Sequence, residues 1–119
     1  MNTENDRELL ELAAKAAGSW IVGPVEKYIV QFGHYENGFV IRNDRGGDSC
    51  WNPIADDGDA LRLAVKLRVD LIRDFDRIDV VYDEGSVSEY LYELPTPTDP
   101  YAATRRAIVR AAAAIGKEM

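Results

Sequence analysis

The stretch from Ala60 to Leu71 limits the possible folds more than any other part of the chain. Ala60, Leu61, Leu63, Ala64, Val65, Leu67 and Leu71 occupy most of a helical circumference, leaving a narrow polar stripe for Arg62, Lys66 and Arg73. A helix this apolar must be covered by other elements, so it is expected at the centre of a small fold. Asp56-Asp57-Gly58-Asp59 stands at its start, where capping and the helix dipole favour carboxylates. Its end is expected at Asp70 or Ile72.

Around this helix the chain alternates its periods. Leu9, Leu10, Ala13, Ala16 and Ala17 recur at helical spacing and are followed by Gly18, a helix-stop signal, with Thr3 and Asp6 as a capping pair. Val25 to Phe32 and Phe39 to Asn43 read as two strands of a hairpin turning at Asn37-Gly38. Asp44 to Ala55 lacks periodicity and reads as an irregular loop, bent at Gly46-Gly47. Ile78 to Asp83 and Val87 to Leu94 form a second hairpin around Asp83-Glu84-Gly85-Ser86. Asp99-Pro100 opens a last helix, with Tyr101, Ile108, Ala111, Ala112 and Ile115 facing the core and Gly116 closing it. The residues show no internal repeat. The expectation is one α+β domain over residues 1–119, ordered α-β-β-α-β-β-α. In this sandwich a four-stranded antiparallel sheet packs with three helices.

The chemistry of the residues excludes more than it assigns. The one cysteine, Cys50, rules out an intramolecular disulfide, and with the one histidine, His34, it cannot build a Cys/His zinc site. A Cys50–His34 nucleophile pair would depend on tertiary proximity alone. Asp56, Asp57 and Asp59 could offer oxygen ligands to a divalent cation, but lack EF-hand spacing and are better read as caps. Gly46-Gly47 has neither Walker spacing nor its lysine. No triad, zinc motif or dinucleotide fingerprint is present, so a non-enzyme without metal or cofactor is expected. Trp51, ahead of Asn52-Pro53, is either a loop anchor beside the central helix or a stacking platform, and the anchor is preferred.

Charge narrows the partners. Lys and Arg number 14 against 21 Asp and Glu, a net −7, which argues against general nucleic-acid binding. No apolar run of about 18 residues suggests a membrane span, and the acidic start does not resemble a signal peptide. A cytoplasmic location is expected. Residues 78–104 hold Asp79, Asp83, Glu84, Glu89 and Glu93, with Asp99, and no Lys or Arg. Arg105, Arg106 and Arg110 then form a basic stripe on the last helix. The acids are candidates for docking a protein partner, with Tyr82, Tyr90 and Tyr92 available to core or interface. Trp51, Arg105, Arg106 and Arg110 are candidates for a small phosphorylated ligand, and a homo-oligomer is open.

Three stretches together carry a resemblance: Leu9 to Gly18, Trp51-Asn52-Pro53 with Asp57 to Leu67, and Asp99 to Ala111. They resemble small hypothetical proteins of tailed phages and prophages of Pseudomonas and Burkholderia type. The layout is similar to the phage αβα-sandwich domain family. The resemblance implies a dispensable accessory protein acting inside an infected or lysogenic bacterium, and it brings no catalytic residue. The expected role is binding a host or phage protein, with inhibition of a host nucleic-acid-handling or defence complex as its sharper form. The alternative is capture of a nucleotide signal.

Overall fold

The computed structural model describes residues 3–24, 38–42, 46–90 and 99–119. Among these, three helices and two three-stranded antiparallel sheets form. The α+β class is as expected, but the single four-stranded sheet is not. Three described strands were not expected: one over Trp20–Pro24, ahead of the predicted first strand, and two where the residues suggested a loop and a helix end.

Helix α1 (Thr3–Ala17) buries Leu10, Ala13, Ala14 and Ala17, one face of a regular helix. Gly18 ends it at φ +70°, its N–H donating to Lys15 O while Ser19 N–H donates to Ala14 O. This left-handed stop turns the chain into β1 (Trp20–Pro24). Strand β2 (Phe39–Arg42) pairs with β1 on one side and with β3 (Asp48–Trp51) on the other. The strand expected over 25–32, the turn before Gly38 and His34 lie outside the described residues. Strand β3 was hidden in the expected loop because Asp48 and Ser49 are polar and exposed on an edge, while Trp51 alone reaches the core opposite Phe39. Gly46 provides the bend before it at φ +82°.

Helix α2 (Asp57–Leu67) stops short of the expected end. Arg68 adopts φ +55° and ψ +43°, its N–H donating to Val65 O, and Val69 N–H donates to Ala64 O. No glycine announces this stop, so periodicity carried the helix too far. The released residues form β4 (Asp70–Arg73), an edge strand paired with β5 (Arg77–Tyr82), which pairs in turn with β6 (Gly85–Tyr90). The β5–β6 hairpin is the expected one, turning at Asp83-Glu84, and residues 91–94 of the predicted strand lie outside the described set. Holding arginine in the left-handed region costs about 1 kcal/mol. Arg68→Gly is therefore expected to stabilise the fold by roughly 0.5–1 kcal/mol, read as a higher midpoint of urea unfolding.

Helix α3 (Pro100–Lys117) begins as expected, with Asp99 Oδ1 accepting Tyr101 N–H at 2.9 Å and Pro100 in the first turn. It packs along α1 and covers β5 and β6. Three packing expectations are corrected. Gly116 lies inside the helix instead of closing it, and a Cβ there would sit 2.0 Å from Leu12 O of α1. Tyr101 points outward at 69% exposure. Helix α2 is not enclosed: Ala60, Leu63 and Ala64 are buried, whereas Leu61 and Val65 are 60% and 68% exposed.

The order of one helix and three antiparallel strands occurs twice, followed by α3. Gly18 and Arg68 occupy equivalent helix stops, and Leu10, Ala13, Ala14 and Ala17 match Ala60, Leu63, Ala64 and the partly buried Leu67 in burial. The repeat is one of architecture, which is why the residues did not show it.

Candidate functional site

The residues from Trp51 to Arg62 form one hydrogen-bonded unit. Asp56 caps α2, its Oδ2 accepting Asp59 N–H at 2.9 Å. Asn52 O accepts the N–H groups of Ala55 and Asp56, and Asn52 Oδ1 accepts Ile54 N–H. The buried Asp59 carboxylate closes the unit: Oδ2 accepts Asn52 N–H at 2.9 Å and Oδ1 accepts Arg62 Nη2 at 2.7 Å. The capping reading of the acids is thus shown for Asp56. Asp57 serves elsewhere, accepting Arg105 Nη1 at 2.7 Å. Gly58 leaves room for the Arg62 guanidinium, which would lie 3.2 Å from a Cβ at that position. No group of three or more potential metal ligands comes together among the described residues.

This unit forms one wall of a cleft of about 410 Å³ between α2, the end of α1 and strands β2 and β3. Its cations are Arg42, Arg62 and Lys66, and the hydroxyls of Ser19 and Ser49 and the Cys50 thiol also line it. Arg62 and Lys66 stand one turn apart on the same face of α2. Asp59 holds Arg62 on its buried side while 71% of the arginine side chain stays exposed, so the guanidinium is both fixed and reachable. Arg42 is tied across the sheet to Asp48 at 3.3 Å. Lys66 has no ion pair among the described residues. A cleft of this volume matches a small organic ligand, and although Arg42 and Arg62 are paired with Asp48 and Asp59, the exposed guanidinium of Arg62 beside Lys66 suits an anionic one.

Trp51 is 7% exposed and packs opposite Phe39, so it anchors β3 in the core and borders the cleft. The stripe on α3 is not gathered around it. Arg105 Nε donates to Ile54 O at 2.7 Å, Arg106 Nη1 pairs with Asp6 Oδ1 at 3.1 Å, and Arg110 pairs with Glu89 and donates to Ser88 O. Each arginine ties α3 to a different element.

The hairpin acids are divided in the same way. Asp79 lies opposite Ser88, whereas Glu89 lies opposite Ile78 on the other face of the sheet. Asp83 and Glu84 are exposed at the turn, and Glu93 lies outside the described residues. Ser88 Oγ donates to Asp79 Oδ1 at 2.5 Å, and Arg77 Nε donates to Asp79 Oδ2 at 3.4 Å. The Ser88 bond is the chief cause holding the Asp79 carboxyl below its ordinary range, with Arg77 assisting and desolvation opposing. A carboxyl lowered on folding contributes stability above its unfolded pKa, and the contribution is lost as pH falls through the folded value. Ser88→Ala should raise the Asp79 pKa toward the ordinary range in a carboxyl NMR titration and shrink that acid-side loss.

Sequence reasoning placed Arg62 and Lys66 on a solvent stripe and passed over Arg42. The signal present was a cationic pair one turn apart on an otherwise apolar helix. Arg42 could not be found so, because its place depends on the β2–β3 pairing. Comparison with known proteins gives no matching family model, no matching curated protein and no matching solved structure. No helix among the described residues is long and apolar enough to cross a membrane.

Proposed function

We propose that the chain is a non-enzymatic binding protein that captures a small phosphorylated ligand, of nucleotide size, in the cleft beneath α2. The observation that carries this reading is the convergence of Arg42, Arg62 and Lys66 on one cleft in a chain of net charge −7. The fixed Arg62 offers a fork to phosphate oxygens, Lys66 a mobile point charge, and Ser19 and Ser49 neutral hydrogen bonds. The accessory role implied by the phage resemblance is compatible with sequestering such a ligand inside the host cell.

Native mass spectrometry and calorimetry with inorganic phosphate, AMP, ADP and a cyclic dinucleotide test the reading. Binding of at least one phosphorylated probe is expected, with Lys66→Glu weakening it tenfold or more, since a charge-assisted contact contributes about 1.5–3 kcal/mol. Lys66 is exposed, so the variant should fold as the parent does. Absence of binding by every probe, or binding that Lys66→Glu leaves unchanged, would sink the proposal.

A second reading rests on a separate observation. Asp83, Glu84 and Glu118 line a hollow with Tyr82 and Arg68 beside the β5–β6 turn, and this net-acidic surface suits a basic patch on a protein partner. A partner recovered from infected cells whose binding is lost with Asp83→Lys and Glu84→Lys, while phosphate-probe binding persists, would favour it over the cleft.

A further inference from the structure

Strand β4 is a sheet edge that exposes apolar residues at its centre. The opposite sheet blunts its β1 edge with a register irregularity between Ile21 and Gly23 and with Pro24 at the strand end. Its β3 edge presents Asp48 and Ser49 to solvent. Strand β4 has neither bulge nor proline: all four of its residues are exposed, and between the charged Asp70 and Arg73 lie Leu71 and Ile72, at 42% and 49%. Among the described residues its outer side pairs with no strand. Helix α3 covers β5 and β6, and the helix-facing side of β4 opens into an apolar groove formed by Leu61, Leu71, Tyr101 and Ile108.

We infer that this edge is an interface with a second copy of the same chain, joining the two β4 strands antiparallel about a two-fold axis. The symmetry restricts the register. A two-fold axis normal to a continuous sheet keeps each side chain on its own face, so it must relate a residue to itself or to one an even number of positions away. Centring it on Ile72 would place Asp70 opposite Asp74 of the second copy, a like-charge pair. Centring it on Leu71 places Leu71 against the second copy's Leu71 on the helix-facing side and, beyond the strand ends, brings Arg68 toward the second copy's Asp74, which already pairs with its own Arg77 at 3.4 Å. Charge and burial both select Leu71. The join covers the exposed leucine, continues the apolar groove into that of the second copy and pairs the backbone groups of both edges. Leu61, exposed on α2 although α2 is apolar on nearly all sides, flanks the same groove.

The interface predicts a dimer in sedimentation equilibrium at about 100 μM, where an association of ordinary strength is saturated. Leu71→Glu places two carboxylates against each other on the axis and should weaken the dimer tenfold or more. Leu61→Glu, on an already exposed position, weakens it without touching the buried core and serves if Leu71→Glu fails to fold. In a Cys50→Ser background, Leu71→Cys should crosslink to its own copy on mild oxidation and Ile72→Cys should not. A monomeric parent protein, a dimer indifferent to both glutamate variants, or crosslinking through Ile72→Cys alone overturns the inference. So does protection of the β4 amides from hydrogen exchange that is independent of protein concentration, since a segment of the same chain would then occupy the edge.

Discussion

Gly116→Ala is expected to destabilise the protein by roughly 3 kcal/mol, the upper part of the overpacking range, measured as a lower midpoint of urea unfolding. In an exposed helix interior the same change would gain up to about 1 kcal/mol from helix propensity, so the sign of the effect is diagnostic. The reason lies in the crossing of α1 and α3. A methyl group at position 116 would sit 2.0 Å from Leu12 O and 2.9 Å from Leu12 C, both backbone atoms of a regular helix. No side chain can rotate away to make room. Relief requires the two helices to part, which loosens the seam where Ala13, Ala14 and Ala17 of α1 and Ala107, Ala111 and Ala112 of α3 are buried. Small residues allow the close approach, and the closeness leaves no slack. A stabilised Gly116→Ala protein would mean that the helices do not cross there.

Asp59→Ala is expected to cost about 3 kcal/mol, because it removes the acceptor of a buried backbone N–H and the partner of a charged guanidinium together. Asn52 N–H and Arg62 Nη2 both donate to this carboxylate, which is almost fully buried. Asp59→Asn keeps an oxygen for one of the two donors and should lose less. The two variants also separate stability from binding. In Asp59→Asn the guanidinium of Arg62 is less firmly held, so phosphate-probe affinity should fall in protein that remains folded under the conditions of calorimetry. Equal affinity in Asp59→Asn and the parent would remove Arg62 positioning from the account of the cleft.

The extent to which the fold was legible follows from where each element takes its stabilisation. Helix α1 could be read because Leu10, Ala13 and Ala17, three of the residues whose spacing marks it, are buried by that same periodicity, and Gly18 marks the stop. Helix α3 announced its start through Asp99-Pro100. The β5–β6 hairpin alternates cleanly because one of its faces meets α3. Strands β3 and β4 did not alternate: β3 is polar on an edge, and β4 continues the apolar run of α2 beyond an arginine in a left-handed conformation. Neither strand carries its own signal, since its pairing partner supplies the reason to be extended.

The candidate site divides similarly. The capping role of Asp56 is local, fixed by three residues of spacing, and could be read from the chain. The burial of Asp59 depends on Asn52 turning back over the start of α2, and the position of Arg42 depends on β2 pairing with β3. Residues singled out by charge alone, Arg105, Arg106 and Arg110, prove to be ties between α3 and three other parts of the fold. A charge run along a helix says which face is polar, but its partners belong to other elements.

Hydrophobic periods and capping residues that act over a few positions specify most of the three helices and the β5–β6 hairpin, and with them the α+β class. Only the assembled fold shows that Ala60 to Leu71 is a helix broken into a strand, that two sheets form instead of one, and which cations share a cleft. Those outcomes turn on backbone pairing and charge neutralisation between segments far apart in the chain. Their free energies exist only once the segments meet, so no local pattern of residues records them.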